Sequence, residues 1–175
     1  MRLFIAREML DSHLKLGAAM FNTTLPLKER AKAFFRAAKH YAVWYPAKWL
    51  PRLRENSSLH SDLAADQRCI TRLSRKLARA VFHAMLIHGP KLEREQLVLG
   101  RLVDIGTELF VWSATLARAQ RMIEDSALGD TEVERTLRLA KLQGRLSREI
   151  VSSCFDAMRQ HPDRDCHSVA RDLMK

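Results

Sequence analysis

The chain has 175 residues, 47% apolar and 29% charged, which excludes a disordered segment and suits one domain with a real core plus an appendage. Gly (6) and Pro (5) are scarce beside plentiful Leu, Ala, Arg and Glu, which argues against a sandwich, a barrel or a doubly wound sheet. A formal net charge of +10 points to an acidic partner: nucleic acid, an anionic membrane or an acidic protein.

The start, MRLFIAREML, carries Arg7 and Glu8 where a signal peptide would need its apolar core. No signal peptide and no membrane span are expected. A first helix is predicted over 2–20, with Leu3, Leu10, Leu14 and Met20 apolar, followed by a break at FNTTLP. Pro26 suits the first turn of the next helix, where its missing N–H costs nothing. That helix should run to about Trp44 and be stopped by Pro46 and Pro51, with PRLRENSSLHS (51–61) a loop and internal boundary.

The segment 26–54 is basic and aromatic: Lys28, Arg30, Lys32, Arg36, Lys39, Lys48, Arg52 and Arg54 stand against one acid, Glu29. It also holds Phe34, Phe35, Tyr41, Trp44, Tyr45 and Trp49. Helical spacing places Leu27, Ala31, Phe34, Ala38, Tyr41 and Tyr45 on one face, flanked by the cations. Such a helix suits an anionic membrane, where rings settle at headgroup depth and each cation contributes about 1 kcal/mol. The membrane-facing candidates are Lys28, Lys32, Phe35, Arg36, Lys39, Trp44, Trp49 and Arg52. Two alternatives stand beside this: the apolar face covers the bundle, or the segment meets a protein or nucleic acid.

A third helix is predicted over 65–88, its stripe being Ile70, Leu73, Leu77, Val81 and Ala84, with Arg68, Arg72, Arg75, Lys76 and Arg79 facing elsewhere. Gly89–Pro90 should end it and start the next, giving an antiparallel helical hairpin. The helix over 91–126 carries two stripes. Val98, Leu102, Ile105, Leu109, Trp112 and Leu116 form the first; Leu99, Val103, Gly106, Phe110 and Ala114 form the second. Burying the first stripe is worth at most about 1.5–3 kcal/mol per residue. Gly106 is expected to admit a close partner helix. The last long helix, 131–160, should start at an Asp130 or Thr131 cap, with Thr131 and Glu134 at capping-box spacing. Its inward positions are Val133, Leu137, Ala140, Gly144, Val151, Phe155 and Met158; His161–Pro162 would end it before a short tail.

The expected fold is all-α: an antiparallel three- to four-helix bundle (62–175) with an N-terminal basic amphipathic helical appendage (1–61). Arg101, Asp104 and Glu108 have the spacing of local ion pairs. With Gly106, Leu109, Trp112 and Arg118, Arg101 and Asp104 are the candidates for a helix or subunit interface. Catalytic and metal sites are not expected. The Cys at 69, 154 and 166 form no CxxC, the seven His pair with no ligand at metal spacing, and no Ser sits in a nucleophile elbow. A helix-turn-helix is disfavoured because the helix after Gly89–Pro90 is the most apolar in the chain.

The stretch KLEREQLVLGRLVDIGTELFVWSATLARAQR (91–121) resembles the extra C-terminal helical domain of very-long-chain acyl-CoA dehydrogenases. Glu95, Gln96, Leu99, Arg101, Leu102, Asp104, Leu109, Leu116, Arg118, Ala119 and Arg121 carry the match. RLFIA (2–6) is similar to the segment that follows the family's catalytic-base loop, an E-G-x-N turn. The resemblance implies that Met1 stands where the catalytic glutamate and most flavin contacts have already been passed. It therefore implies a detached C-terminal domain, not catalytic alone, with no cofactor of its own and FAD in the intact parent. Expected partners are an anionic membrane, the missing dehydrogenase domains or a homodimer mate; the expected location is cytoplasmic and peripheral to the membrane (the matrix face if eukaryotic). A non-enzymatic adaptor and a basic nucleic-acid-binding bundle are the alternatives.

Overall fold

The computed structural model describes residues 24–50, 59–124, 129–159 and 163–174, together with Ile5, Glu8 and Asp11. The helix predicted over 2–20 otherwise lies outside the described residues, as do the 51–58 part of the loop, with Arg52, and His161–Pro162. The helices are α1 (Leu27–Ala47), α2 (Ser61–His88), α3 (Gln96–Ile123), α4 (Asp130–Arg159) and α5 (Asp163–Leu173), with a 3-10 segment (Gly89–Arg94) between α2 and α3. No strand occurs among the described residues, so the fold is the all-α one expected.

Helices α2, α3 and α4 run up, down and up around one core. The His60 amide donates to Gln120 Oε1 at 2.6 Å, which brings the start of α2 to the end of α3. Trp112 packs on Gly144 while Ser147 bonds Glu108, so α3 and α4 are antiparallel. Lys141 and Arg148 of α4 each reach α2, on Asp62 and Asp66, both at 3.1 Å.

All six residues of the first α3 stripe are buried, with Trp112 and Ile105 fully enclosed. The second stripe is buried only at Leu99 and Val103, which pack with Val81 and Ala84 of α2; Phe110 and Ala114 are exposed. From α4, Ala140, Gly144, Ser147, Val151 and Phe155 face the core, with Val133, Leu137 and Met158 half-buried. The close approach occurs at Gly144, where a Cβ would lie 2.7 Å from Trp112 Nε1 and 3.2 Å from Asp66 Oδ2.

Several boundaries differ from the expectation. Pro26 stands just before α1, its carbonyl accepting from Glu29 and Arg30. Pro46 does not stop α1, which continues to Ala47, since a proline in the last turn forfeits one hydrogen bond there. Helix α2 begins at Ser61 rather than 65, capped by His60 Nδ1, which accepts from the Asp62 amide. Gly89 closes α2 at φ +52, a conformation that only glycine takes readily, and its N–H donates to Met85 O. Pro90 then opens the 3-10 segment, and α3 starts at Gln96. At the start of α4, the carbonyl of Gly129 accepts from Glu132 and Val133, so Asp130 and Thr131 lie inside the first turn; Glu134 pairs with Arg138. The expected short tail is the 11-residue helix α5.

Two glycine substitutions should act with opposite sign. Gly144→Ala drives a methyl into Trp112 and should cost about 1–3 kcal/mol. Gly100→Ala meets nothing within 4 Å in mid-helix. It should stabilise by up to about 1 kcal/mol. Urea denaturation of both variants checks this, and a neutral Gly144→Ala would mean that the α3–α4 contact is looser than described.

Candidate functional site

Helix α1 reaches the bundle through a face rotated from the one its apolar pattern suggested. Ala37 is buried, and Arg30, Ala33, Tyr41 and Trp44 are half-buried around it. Phe82 of α2 receives this face: its ring centroid lies 4.6 Å from Tyr41, 5.3 Å from Tyr45 and 5.9 Å from Trp44. The Tyr45 hydroxyl lies 2.8 Å from His83 Nε2. Burial raises the Tyr41 phenol above its ordinary value.

Two arginines of α2 hold the end of this segment. Arg79 donates to the Lys48 carbonyl, and Arg75 to that of Leu50 at 3.2 Å. Cations at carbonyls just past a helix C-terminus satisfy unpaired acceptors and oppose the helix dipole. The Arg79 guanidinium also lies 4.1 Å from the centroid of the Trp49 ring. Thus Trp44 and Trp49, both assigned to the membrane from sequence, have contacts within the chain: Trp44 is half-buried, whereas Trp49 is 61% exposed. Sequence reading missed Phe82. Its signal was an aromatic ring three residues on from Arg79, continuing the four-and-three spacing of Arg68, Arg72, Arg75 and Arg79.

The remainder of α1 is uncovered. Leu27, Phe34, Phe35 and Val43 are exposed, Phe35 by 71%, as are Lys28, Lys32, Arg36 and Lys39. Successive turns carry Leu27, Phe34 and Phe35 on one strip and the four cations on the next. Lys32 meets Glu29 at 3.1 Å in an exposed pair of small energetic consequence. Among the described residues no carboxylate pairs with Lys28, Arg36 or Lys39.

The second candidate cluster lies at the α3–α4 contact. Arg101, Asp104 and Gly106 are half-buried, Leu109 and Trp112 are core, and Arg118 is exposed. Leu109 and Trp112 therefore serve an interface inside the chain. Glu108 Oε2 accepts from Ser147 Oγ at 3.0 Å, and Ser147 accepts from Gln143 Nε2 at 2.9 Å. Burial raises the Cys154 thiol above its ordinary value; Asp104 and Glu108 push it the same way, while Arg101 opposes them. These charges therefore surround a partly buried thiol on α4.

No group of three or more metal-ligating side chains occurs among the described residues. Gly89 caps a helix, Gly144 is filled by Trp112, and a Cβ at Gly100 or Gly129 would meet nothing within 4 Å. None stands in a glycine-rich turn aimed at a pyrophosphate.

The geometry defines an all-α domain built on a packed helical bundle. The family described as acyl-CoA dehydrogenase, C-terminal, bacterial type matches residues 33–143, from α1 into α4. Among curated proteins, the probable acyl-CoA dehydrogenase FadE10 of Mycobacterium bovis is 34% identical over 186 aligned positions, covering 100% of this chain and 27% of the relative. FadE10 from two strains of Mycobacterium tuberculosis, CDC 1551 and H37Rv, matches to the same extent. The chain belongs to the acyl-CoA dehydrogenase C-terminal family and spans about a quarter (27%) of the length of these relatives. No solved structure matches it.

The three thiols should report the α3–α4 contact. Cys166 is exposed, Cys154 half-buried with a raised thiol, and Cys69 buried. Because the thiolate is the nucleophile, maleimide at neutral pH should label Cys166 first and Cys154 more slowly. Cys69 should react only as the bundle opens. Peptide mapping against time reads the order, and equal rates for Cys154 and Cys166 would contradict the packing described.

Proposed function

We propose that this chain is the C-terminal accessory domain of a flavin-dependent acyl-CoA dehydrogenase of the very-long-chain class, and that α1 attaches it to an anionic membrane surface. The observation that carries the second half is the uncovered strip of α1: Leu27, Phe34 and Phe35 exposed beside Lys28, Lys32, Arg36 and Lys39. Apolar rings at headgroup depth with cations beside them combine burial with attraction to anionic lipid. Among the described residues no helix is long and apolar enough to cross a membrane, so the contact proposed is peripheral.

The class assignment is supported by family membership and by the residues of 91–121 that resemble the very-long-chain type. In the intact enzyme, bound FAD would supply the hydride acceptor for oxidation of an acyl-CoA in fatty acid breakdown. This chain contributes attachment and packing, and is not catalytic by itself. A partner role has its own support. Leu139, Leu142, Leu146 and Ile150 form an exposed apolar stripe on α4, at spacings of three and four. Its proposed occupant is the rest of the dehydrogenase, because the relatives extend far beyond the length aligned here.

Vesicle flotation of the full chain tests the attachment. Binding is expected with anionic and not neutral phospholipid vesicles, weakening with salt. The triple variant Lys28→Glu, Lys32→Glu, Arg36→Glu should lose roughly a hundredfold or more in affinity, from about 1 kcal/mol per cation. Phe35→Ser should weaken binding without altering the fold. Trp44 is the poorer probe, since it also packs on Phe82. No binding in any arm would sink the membrane role and leave the partner role.

A further inference from the structure

A cleft of about 560 Å³ opens between α2, the start of α3 and the end of α4, with Trp49 closing one side. Its volume lies within the range of small-molecule sites. The floor is apolar: Ala84, Val98 and Phe155 are buried there, and Ala80 and Met158 are half-buried. The rim is cationic, with Lys76, Arg79 and Arg159 on the lining and no carboxylate among the described lining residues.

The rim cations are held in place without being neutralised. Lys76 Nζ sits 3.9 Å from the centroid of the Phe155 ring, and Arg79 stacks on Trp49 while donating to the Lys48 carbonyl. An aromatic face and a carbonyl orient a cation but leave its charge available. Among the described residues, no carboxylate pairs with Lys76 or Arg159. Elsewhere on the same bundle cations do have acidic partners, as in Lys141–Asp62 and Arg148–Asp66. The surplus of positive charge is therefore local to the mouth of an apolar cleft.

We infer that this cleft binds a single acyl chain bearing an anionic head. The chain would lie on Val98, Phe155 and Met158, and the head on Lys76, Arg79 and Arg159. The site is separate from the exposed strip of α1, which meets a surface rather than enclosing a molecule. Its ligand could be a soluble acyl anion or an anionic lipid drawn from a membrane; the shared chemistry is an apolar tail with a negative head.

Titration of the full chain with myristate and with lysophosphatidic acid, each below its micellar concentration, tests this through intrinsic tryptophan fluorescence, to which Trp49 contributes, and calorimetry. Saturable binding near one per chain is expected for both, and weak binding for neutral lysophosphatidylcholine. The double variant Lys76→Glu, Arg159→Glu changes two exposed side chains and should weaken anionic binding about tenfold or more. Ala80→Phe, which narrows the cleft, should weaken binding of longer chains more than shorter ones. Transfer of a fluorescent lysophosphatidic acid out of vesicles would identify a membrane source, and uptake of myristate alone a soluble one. No saturable binding by the folded native chain, or undiminished binding by the double variant, would overturn the proposal. The α1 triple variant separates the two sites, since it should abolish vesicle binding and leave myristate binding intact.

Discussion

The bundle depends on the seating of Trp112 against Gly144. The largest fully buried side chain in the protein lies where α4 has no side chain at all, and any β-carbon there would collide with the indole. This contact fixes both the spacing and the register of α3 and α4. One turn away, Ser147 is thereby brought to Glu108. On the other side Asp66 is brought to Arg148, whose guanidinium lies 5.5 Å from the centroid of the Trp112 ring. The indole Nε1 is buried and has no hydrogen-bond partner among the described residues, an arrangement that typically costs about 1–3 kcal/mol. Burial of the whole ring system outweighs that cost, as it does for large aromatic side chains in general.

This explains which parts of the fold were legible in the sequence. The α3 stripe was readable because a spacing of three and four over five turns admits only one buried face, and all six of its residues are core. Ala140, Gly144, Val151 and Phe155 were readable for the same reason. A close approach was expected at Gly106; the one the structure describes is at Gly144. Both lie in helices, and nothing local shows which of them opposes a tryptophan 32 residues away. Boundaries were less legible, because a carbonyl or a ring nitrogen can cap a helix as well as Ser or Thr does. His60 and Gly129 did so here.

The candidate surface was legible in composition and not in orientation. The abundance of cations and rings in 26–54 is plain from sequence. Which side of α1 would be covered was not, because the helix carries apolar residues over more than half its circumference. The partner decided it. Phe82 and the arginines of α2 fit Tyr41, Trp44, Tyr45 and the carbonyls after Ala47, so α1 docks by its more aromatic flank. Leu27 and Phe34, which the pattern grouped on one face with Tyr41 and Tyr45, are left outside, and so is Phe35. A pattern gives the set of apolar positions; the chemistry of the opposing helix selects among them.

The net charge of +10 can be followed to its places on the same reasoning. Acids on α2 and α4 are largely engaged with bases: Asp62 with Lys141, Asp66 with Arg148, Glu132 with Arg135, Glu134 with Arg138. Exposed pairs of this kind add little stability each, but they cancel charge over the outer face of the bundle. Among the described residues the cancellation does not extend to Lys28, Arg36 and Lys39 of α1, nor to the cleft mouth with Lys76, Arg79 and Arg159. In both places the uncancelled cations stand beside apolar surface. Charge alone would draw the chain to any polyanion, and its attraction would fade at physiological salt within a Debye length of about 8 Å. Apolar burial is insensitive to that screening. A surface that combines the two suits a ligand that is itself anionic at one end and apolar at the other, which is why the reading proposed above names an anionic lipid rather than a nucleic acid.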